Sequence, residues 1–216
     1  MIHKTPTQPV LMFVAILSVM GLIPVPEGSE QAVIEVTVRE GTNMAAALSP
    51  DGRTMAIDAL GRIWTLPATG GTAIALTDPE GDARQPSWSP DGTRIAFQAY
   101  WAGDYDIWAV NVDGSGLAQI TSGPFDDREP HWSPEGSSIA FSSDRSGTYD
   151  IWEVALVDGE AQRLTNGGDN EYGPAYSPAG DALAYVADGS STGVWIRSSL
   201  GATDRVADTY SVGSSL

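Results

Sequence analysis

Residues 129–165 read EPHWSPEGSSIAFSSDRSGTYDIWEVALVDGEAQRLT, four short alternating stretches separated by turn residues. EPHWS is a short strand and SPEG a turn. SSIAFSS follows as a second strand, DRSGTYD as a longer connection and DIWEVAL as a third strand. VDGE is the next turn and AQRLT the fourth strand. Short apolar–polar alternations bounded by Gly, Pro, Ser and Asp are the signature of antiparallel strands joined by tight turns. Pro134, like Pro90 in another copy, suits an early turn position and would be out of place in a central strand.

The unit recurs along the chain. Ser-Pro stands at 49–50, 89–90, 133–134 and 177–178, spaced 40, 44 and 44 residues. A tryptophan preceded by an aliphatic residue stands at Trp64, Trp108, Trp152 and Trp195, spaced 44, 44 and 43. An aliphatic-Thr pair ends at Thr77, Thr121 and Thr165, spaced 44 and 44. Three independent markers keep one period. Asp-Gly at 51–52, 91–92, 113–114 and 158–159 supplies glycine where a turn needs positive φ. No helical period is visible after residue 32.

Four antiparallel strands repeated every 40–45 residues are a propeller blade. The expected fold is therefore all-β, a β-propeller with four full blades at about 42–82, 83–127, 128–170 and 171–208. Residues 32–40, AVIEVTVRE, alternate like an extra outer strand, yet the fourth copy has its own near 202–208. An incomplete ring, a fragment of a larger propeller, is the expectation; a true four-bladed ring is its rival. Of the seven tryptophans, Trp64, Trp88, Trp108, Trp132, Trp152 and Trp195 occupy repeat positions and are expected in the core. Trp101, in the blade-specific stretch AYWAGDYD, is expected at the surface.

The phrases WSPDGTRIAF (88–97), DYDIWAVNVDGSGLAQIT (104–121) and WSPEGSSIAFSSDRSGTYDIW (132–152) resemble the propeller repeats of the TolB type. In that family the repeats form the propeller of periplasmic TolB. They also occur in tricorn-like proteases, prolyl-oligopeptidase relatives and exported amidohydrolases. The resemblance covers residues 42 to about 208 and implies a scaffold, a partner platform or a substrate gate. TolB itself carries an α/β domain before six blades, whereas here the repeats follow the N-terminal segment almost directly. The opening copy, LSPDGRTMAIDALGRIWTLPATGGTAIALT (48–77), looks most like the first blade of exported proteins whose propeller precedes a metal-dependent amidohydrolase domain.

Charge narrows the partners. Eleven basic residues face 28 acids, for a net charge of −17, and Lys4 is the only lysine. Such a surface argues against nucleic acid or anionic lipid as a ligand. With no cysteine there are neither disulfides nor thiolate metal sites. Val10–Ile23 is an apolar run of 14 residues after a basic start. That is short for a membrane span of about 20 residues and suits a signal-peptide core. Residues 1–31 are read as a signal peptide or an uncleaved N-terminal anchor, which places the protein in the periplasm or outside the cell. Membrane contact is expected only through such an anchor.

Gly189-Ser190-Ser191-Thr192-Gly193 formally matches the nucleophile elbow G-x-S-x-G. That motif needs a strand–turn–helix setting and a nearby histidine, but this stretch falls between two strands, and neither His3 nor His131 follows it. His131 alternates away from Trp132 and reads as a structural or exposed residue. An amidohydrolase metal centre needs several histidines, so no catalytic residue, metal or cofactor is expected in this chain. Asp106 and Asp150, opening the third strands, read as turn caps. The loops before each first strand carry Asp82 and Arg84, then Asp126, Asp127 and Arg128, then Asn170, Glu171 and Tyr172. First strands line a propeller's channel, so these residues are the candidate binding rim at its mouth. They suit a cation, a basic peptide or a partner's side chains, although solvated Asp–Arg pairs worth under about 1 kcal/mol each also explain them. The expected partner is a protein or peptide, or a downstream catalytic domain of the same parent protein.

Overall fold

The Ser-Pro marker is a latch. Ser49 Oγ donates to Asp51 Oδ1 (2.7 Å) and accepts the Thr54 amide (2.9 Å). Ser89 repeats this with Asp91 (2.6 Å) and Arg94 (2.9 Å). Ser133 and Ser177 accept the amides of Ser138 (3.1 Å) and Ala182 (3.2 Å). Proline presets φ after each serine, and Gly52, Gly92, Gly136 and Gly180 turn the corner at φ of 72°, 69°, 71° and 72°, where a side chain would be strained.

These latches order a computed structural model that describes residues 44–101, 103–190 and 192–207, with the backbone of two short strands before them. Those strands, β1 (Phe13–Ala15) and β2 (Ile34–Val36), pair antiparallel with each other. The remainder of residues 1–31, expected as a signal peptide or anchor, and of the stretch 32–40 lies outside the described residues. Four antiparallel four-stranded sheets follow. The first blade comprises β3 (Ala46–Leu48), β4 (Thr54–Ala59), β5 (Arg62–Pro67) and β6 (Ile74–Ala75). The second comprises β7 (Arg84–Trp88), β8 (Arg94–Trp101), β9 (Asp104–Asn111) and β10 (Ala118–Gln119). The third comprises β11 (Asp127–Trp132), β12 (Ser138–Ser143), β13 (Asp150–Ala155) and β14 (Ala161–Arg163). The fourth comprises β15 (Asn170–Tyr176), β16 (Ala182–Asp188), β17 (Gly193–Ser198) and β18 (Thr203–Ala207). No helix among the described residues is long and apolar enough to cross a membrane.

The other two markers are hydrogen-bond devices as well. Thr77, Thr121 and Thr165 accept the amides of Ile63, Ile107 and Ile151, each at 2.9 Å, and pin the outer ends of the first three blades to their third strands. The indoles of Trp88 and Trp132 donate to the carbonyls of Ala47 (3.0 Å) and Ser87 (3.1 Å) on the preceding blade. In the fourth blade Tyr176 takes that place and donates to Glu153 instead.

Apolar layers fill the gaps between blades. Ala56 and Ile63 meet Ile95 and Phe97 between the first two, and Ala96 and Ile107 meet Ile139 and Phe141 between the next two. Ala140 and Ile151 meet Leu183 and Tyr185 before the last. Burying each large side chain stabilises the stack by about 1.5–3 kcal/mol. Ile63, Ile107 and Ile151 are wholly buried, whereas Val194, at the same position of the fourth blade, is only half covered. The difference follows from topology. Each blade packs on the next, but the first and fourth sheets do not pack face to face among the described residues, so the ring is an open arc.

Trp101 departs from expectation. The stretch read as a surface loop continues both strands as a ladder pairing Tyr100 with Tyr105 and Trp101 with Asp104. Trp101 consequently packs on Trp108, ring centroids 4.8 Å apart, and joins the layer between the first two blades. The six repeat-locked tryptophans are buried or half-buried, as expected for core residues.

Candidate functional site: the central cleft and its rim

Three of the four innermost strands carry the same irregularity, whereas β3 pairs with β4 in unbroken register. The register slips between Arg84 and Ser87 in β7, between Arg128 and His131 in β11, and between Tyr172 and Ala175 in β15. Gln85, Glu129 and Gly173 sit at these β-bulges with φ of 56°, 56° and 59°, each followed by proline. Left-handed backbone is costly for an L-residue, and a bulge re-aims the side chain it carries. The preceding blade fixes every bulge by taking its amide. Asp58 Oδ2 accepts from Gln85 (2.8 Å), Gln98 Oε1 from Glu129 (3.0 Å) and Glu129 Oε2 from Gly173 (2.7 Å).

The bulges frame a cleft of about 440 Å³ to which all four innermost strands or their ends contribute. Pro86, Pro130 and Pro174 form much of its wall, with Trp88, Glu129 and His131 beside them. Burial lowers the affinity of His131 for a proton. Its Nδ1 lies 3.1 Å from the Trp132 carbonyl and 3.4 Å from the Tyr176 amide. Apart from its chain neighbours, no atom among the described residues lies within 4 Å of where a Cβ on Gly173 would stand, so the cleft has room on that side.

Just before each bulge lies the rim. Arg84 pairs with Asp82 (3.0 Å) and Arg128 with Asp126 (2.8 Å). Tyrosines that sequence reasoning missed join these pairs. Tyr105 donates to Asp82 (3.3 Å) and Tyr149 to Asp126 (3.1 Å). The Arg128 guanidinium stands 4.4 Å from the Tyr105 ring centre, and Tyr149 lies 5.1 Å from Tyr172. Asn170 accepts the Tyr149 amide (3.1 Å), the role Asp126 plays for Tyr105 (3.1 Å). Burial pushes the Tyr149 hydroxyl up to about 12, so it remains a donor at neutral pH. Six of the expected rim residues therefore form one continuous ladder of Asp, Arg, Tyr and Asn.

Asp127 and Glu171 do not belong to it. Strand alternation turns them inward, and both are buried between blades. Asp127 takes two bonds from Arg145 (2.8 and 2.7 Å), beside Asp106 from the second blade. At the next interface Asp150 pairs with Arg163 (2.7 Å) beside Glu171. Each of these two interfaces thus holds two acids and one arginine, and among the described residues each leaves one carboxylate oxygen without a partner, Asp106 Oδ1 and Glu171 Oε2. Burial, helped by the charge of Asp127, raises the Asp106 carboxyl to about 6. Burial also raises Asp127 and Glu171. Asp106 and Asp150, expected as turn caps, face the interfaces; Asp150 also accepts from Ser146 Oγ and so caps its own turn, whereas Asp106 takes its bond from Gln119. The G-x-S-x-G stretch lies between β16 and β17; Ser190 Oγ contacts Asp169 (2.9 Å), and Ser191 lies outside the described residues.

A family model described as the TolB beta propeller domain matches residues 63–207. The chain belongs to the TolB β-propeller family. None of the curated proteins matches it. Among solved structures it resembles a protein assigned as TolB from Agrobacterium tumefaciens, at 25% identity and a TM-score of 0.71, over 82% of this chain and 70% of that one. TolB from Acinetobacter baumannii matches at 22% identity and a TM-score of 0.69, over 85% of this chain and 47% of that one. A puromycin hydrolase shares the fold at 17% identity and a TM-score of 0.59, with 81% of this chain laid on 33% of that protein. The bulge-proline triplet is thus a feature of a TolB-family propeller. In sequence its signal is Pro86, Pro130 and Pro174, spaced 44 and 44 like the other markers.

Proposed function

We propose that this TolB-family propeller is a non-catalytic, exported binding domain that receives a protein or peptide partner in its central cleft. The observation that carries the reading is the convergence on one cleft, bordered by the Tyr–Arg rim, of three left-handed, proline-followed bulges, two of them on L-residues, Gln85 and Glu129, that are strained there. Strained backbone persists where surrounding structure enforces it, and it clusters at ligand clamps. The apolar run Val10–Ile23 supports export to the periplasm or beyond. Selection of the purified protein against a displayed peptide library tests the reading. Saturable binding lost in Gly173→Phe, which fills the cleft, but kept in Gly173→Ala, which carries the same left-handed strain without filling it, supports it. Binding that ignores Gly173→Phe overturns it, as does turnover of ester, amide or cyclic-imide substrates.

A second reading makes the chain the propeller of a larger exported hydrolase, an amidohydrolase first and a peptidase second. It is favoured by the opening-blade phrase at 48–77 and by the fold shared with a third of puromycin hydrolase. The coding sequence beyond codon 216 tests it, since an in-frame catalytic domain is its requirement.

A further inference from the structure

We infer that the cleft takes a basic side chain of its peptide, an arginine foremost, with Glu129 as the counter-charge; this rests on the reading of the cleft as a peptide site. Among the described residues Glu129 is the one acid on the cleft wall, and neither lysine nor arginine lines it. Two hydrogen bonds hold its Oε2 in place, from Ser142 Oγ (2.8 Å) and the Gly173 amide (2.7 Å). Oε1 is left for a ligand. Glu129 forms no ion pair among the described residues. Its neighbour Arg128 is drawn out to the rim, where it bonds Asp126 (2.8 Å) and stacks on Tyr105.

The three bulge positions are equivalent in the repeat but chemically different. Gln85 offers an amide, Glu129 a charge and Gly173 open space. A carboxylate held by two donors beside proline and indole carbon lacks only a cation. The wall selects which one. A guanidinium is flat, weakly hydrated and able to lie against proline and indole carbon while donating to a carboxylate, whereas an ammonium gives up more hydration on entering. An acidic peptide would meet both Glu129 and a net charge of −17. His131 adds no opposing charge at neutral pH, because burial disfavours its protonated form.

The test uses four capped tripeptides, acetyl-Gly-Xaa-Gly-amide, with Xaa as arginine, lysine, norleucine or glutamate. Binding to the full chain is followed by titration NMR. The expected order is arginine, lysine, norleucine, glutamate, with arginine at least tenfold tighter than norleucine. Glu129→Gln, which retains an acceptor for Ser142 and Gly173, should erase that difference. Since Glu129 also bridges two blades, Gln85→Lys gives an independent check by placing a competing ammonium on the facing strand, and it should weaken arginine binding at least fivefold. Norleucine binding as tightly as arginine, without change in Glu129→Gln, overturns the inference and leaves the peptide site standing. Failure of all four peptides, alongside failure of the library selection, overturns both.

Discussion

Replacing Asp106 by asparagine should stabilise the propeller at pH 8 and make it up to about 1 kcal/mol less stable at pH 4. Asp106 is 5% exposed, and its Oδ2 accepts from Gln119 (2.9 Å) while Oδ1 has no partner. Its carboxyl is raised from 3.8 to about 6 by burial and by Asp127. A raised acid favours the folded state while protonated, so this contribution is full below about pH 4 and is lost as the pH climbs through 6. Two pK units correspond to about 3 kcal/mol of charge penalty above pH 7, and wild-type stability should fall by up to about 1.4 kcal/mol per pH unit within that window. Asparagine removes the charge, keeps an acceptor for Gln119 and buries an amide whose own unmet hydrogen bonds cost about 1 kcal/mol. The net gain at pH 8 is then about 2 kcal/mol, a rise in Tm of roughly 4–8 °C for a domain of this size. Thermal unfolding followed by tryptophan fluorescence from pH 4 to pH 8 reads the difference between the two proteins. A difference independent of pH, or an asparagine variant less stable at pH 8, refutes the assignment of the strained charge to Asp106.

Three further outcomes are expected. Arg145→Leu strands the fully buried Asp127 and should cost about 3–5 kcal/mol, with much of that recovered by adding Asp127→Asn; urea unfolding of both variants checks it. Trp132→Ala removes a buried indole and its bond to Ser87 on the preceding blade, and should lower stability by about 3–5 kcal/mol in the same assay. Gln85→Gly relieves a left-handed L-residue and should be neutral or stabilising by up to about 1 kcal/mol, whereas Ser87→Gly on the same strand should destabilise; equal losses from both would show that the bulge stores no strain.

The architecture was legible in the sequence because every marker of the repeat does a local job. Ser-Pro closes a turn, aliphatic-Thr ties an outer strand to its neighbour, and Asp-Gly takes positive φ. Each acts within about 15 residues, so period alone revealed four blades and the positions of the buried tryptophans. The rim was legible in part. Asp82, Arg84, Asp126, Arg128, Asn170 and Tyr172 could be gathered by repeat position, but loop composition does not say which side of a strand a residue faces. Asp127 and Glu171 were therefore grouped with neighbours from which alternation separates them. Tyr105 and Tyr149 escaped because they reach the rim from third strands, more than 20 residues away from the acids they bond.

By itself the sequence determined that this chain is a stack of hairpin-built blades, since turn chemistry and a period near 44 are local properties of the chain. Only the tertiary structure decided what the blades enclose. A bulge is visible once two strands are paired, and the direction of Glu129 depends on its left-handed backbone and on bonds from Ser142 and Gly173. The charge state of Asp106 likewise depends on Asp127, which arrives from the next blade. Burial and charge neighbours are sums over space, and residues 20 to 45 apart meet only when one blade lies on another.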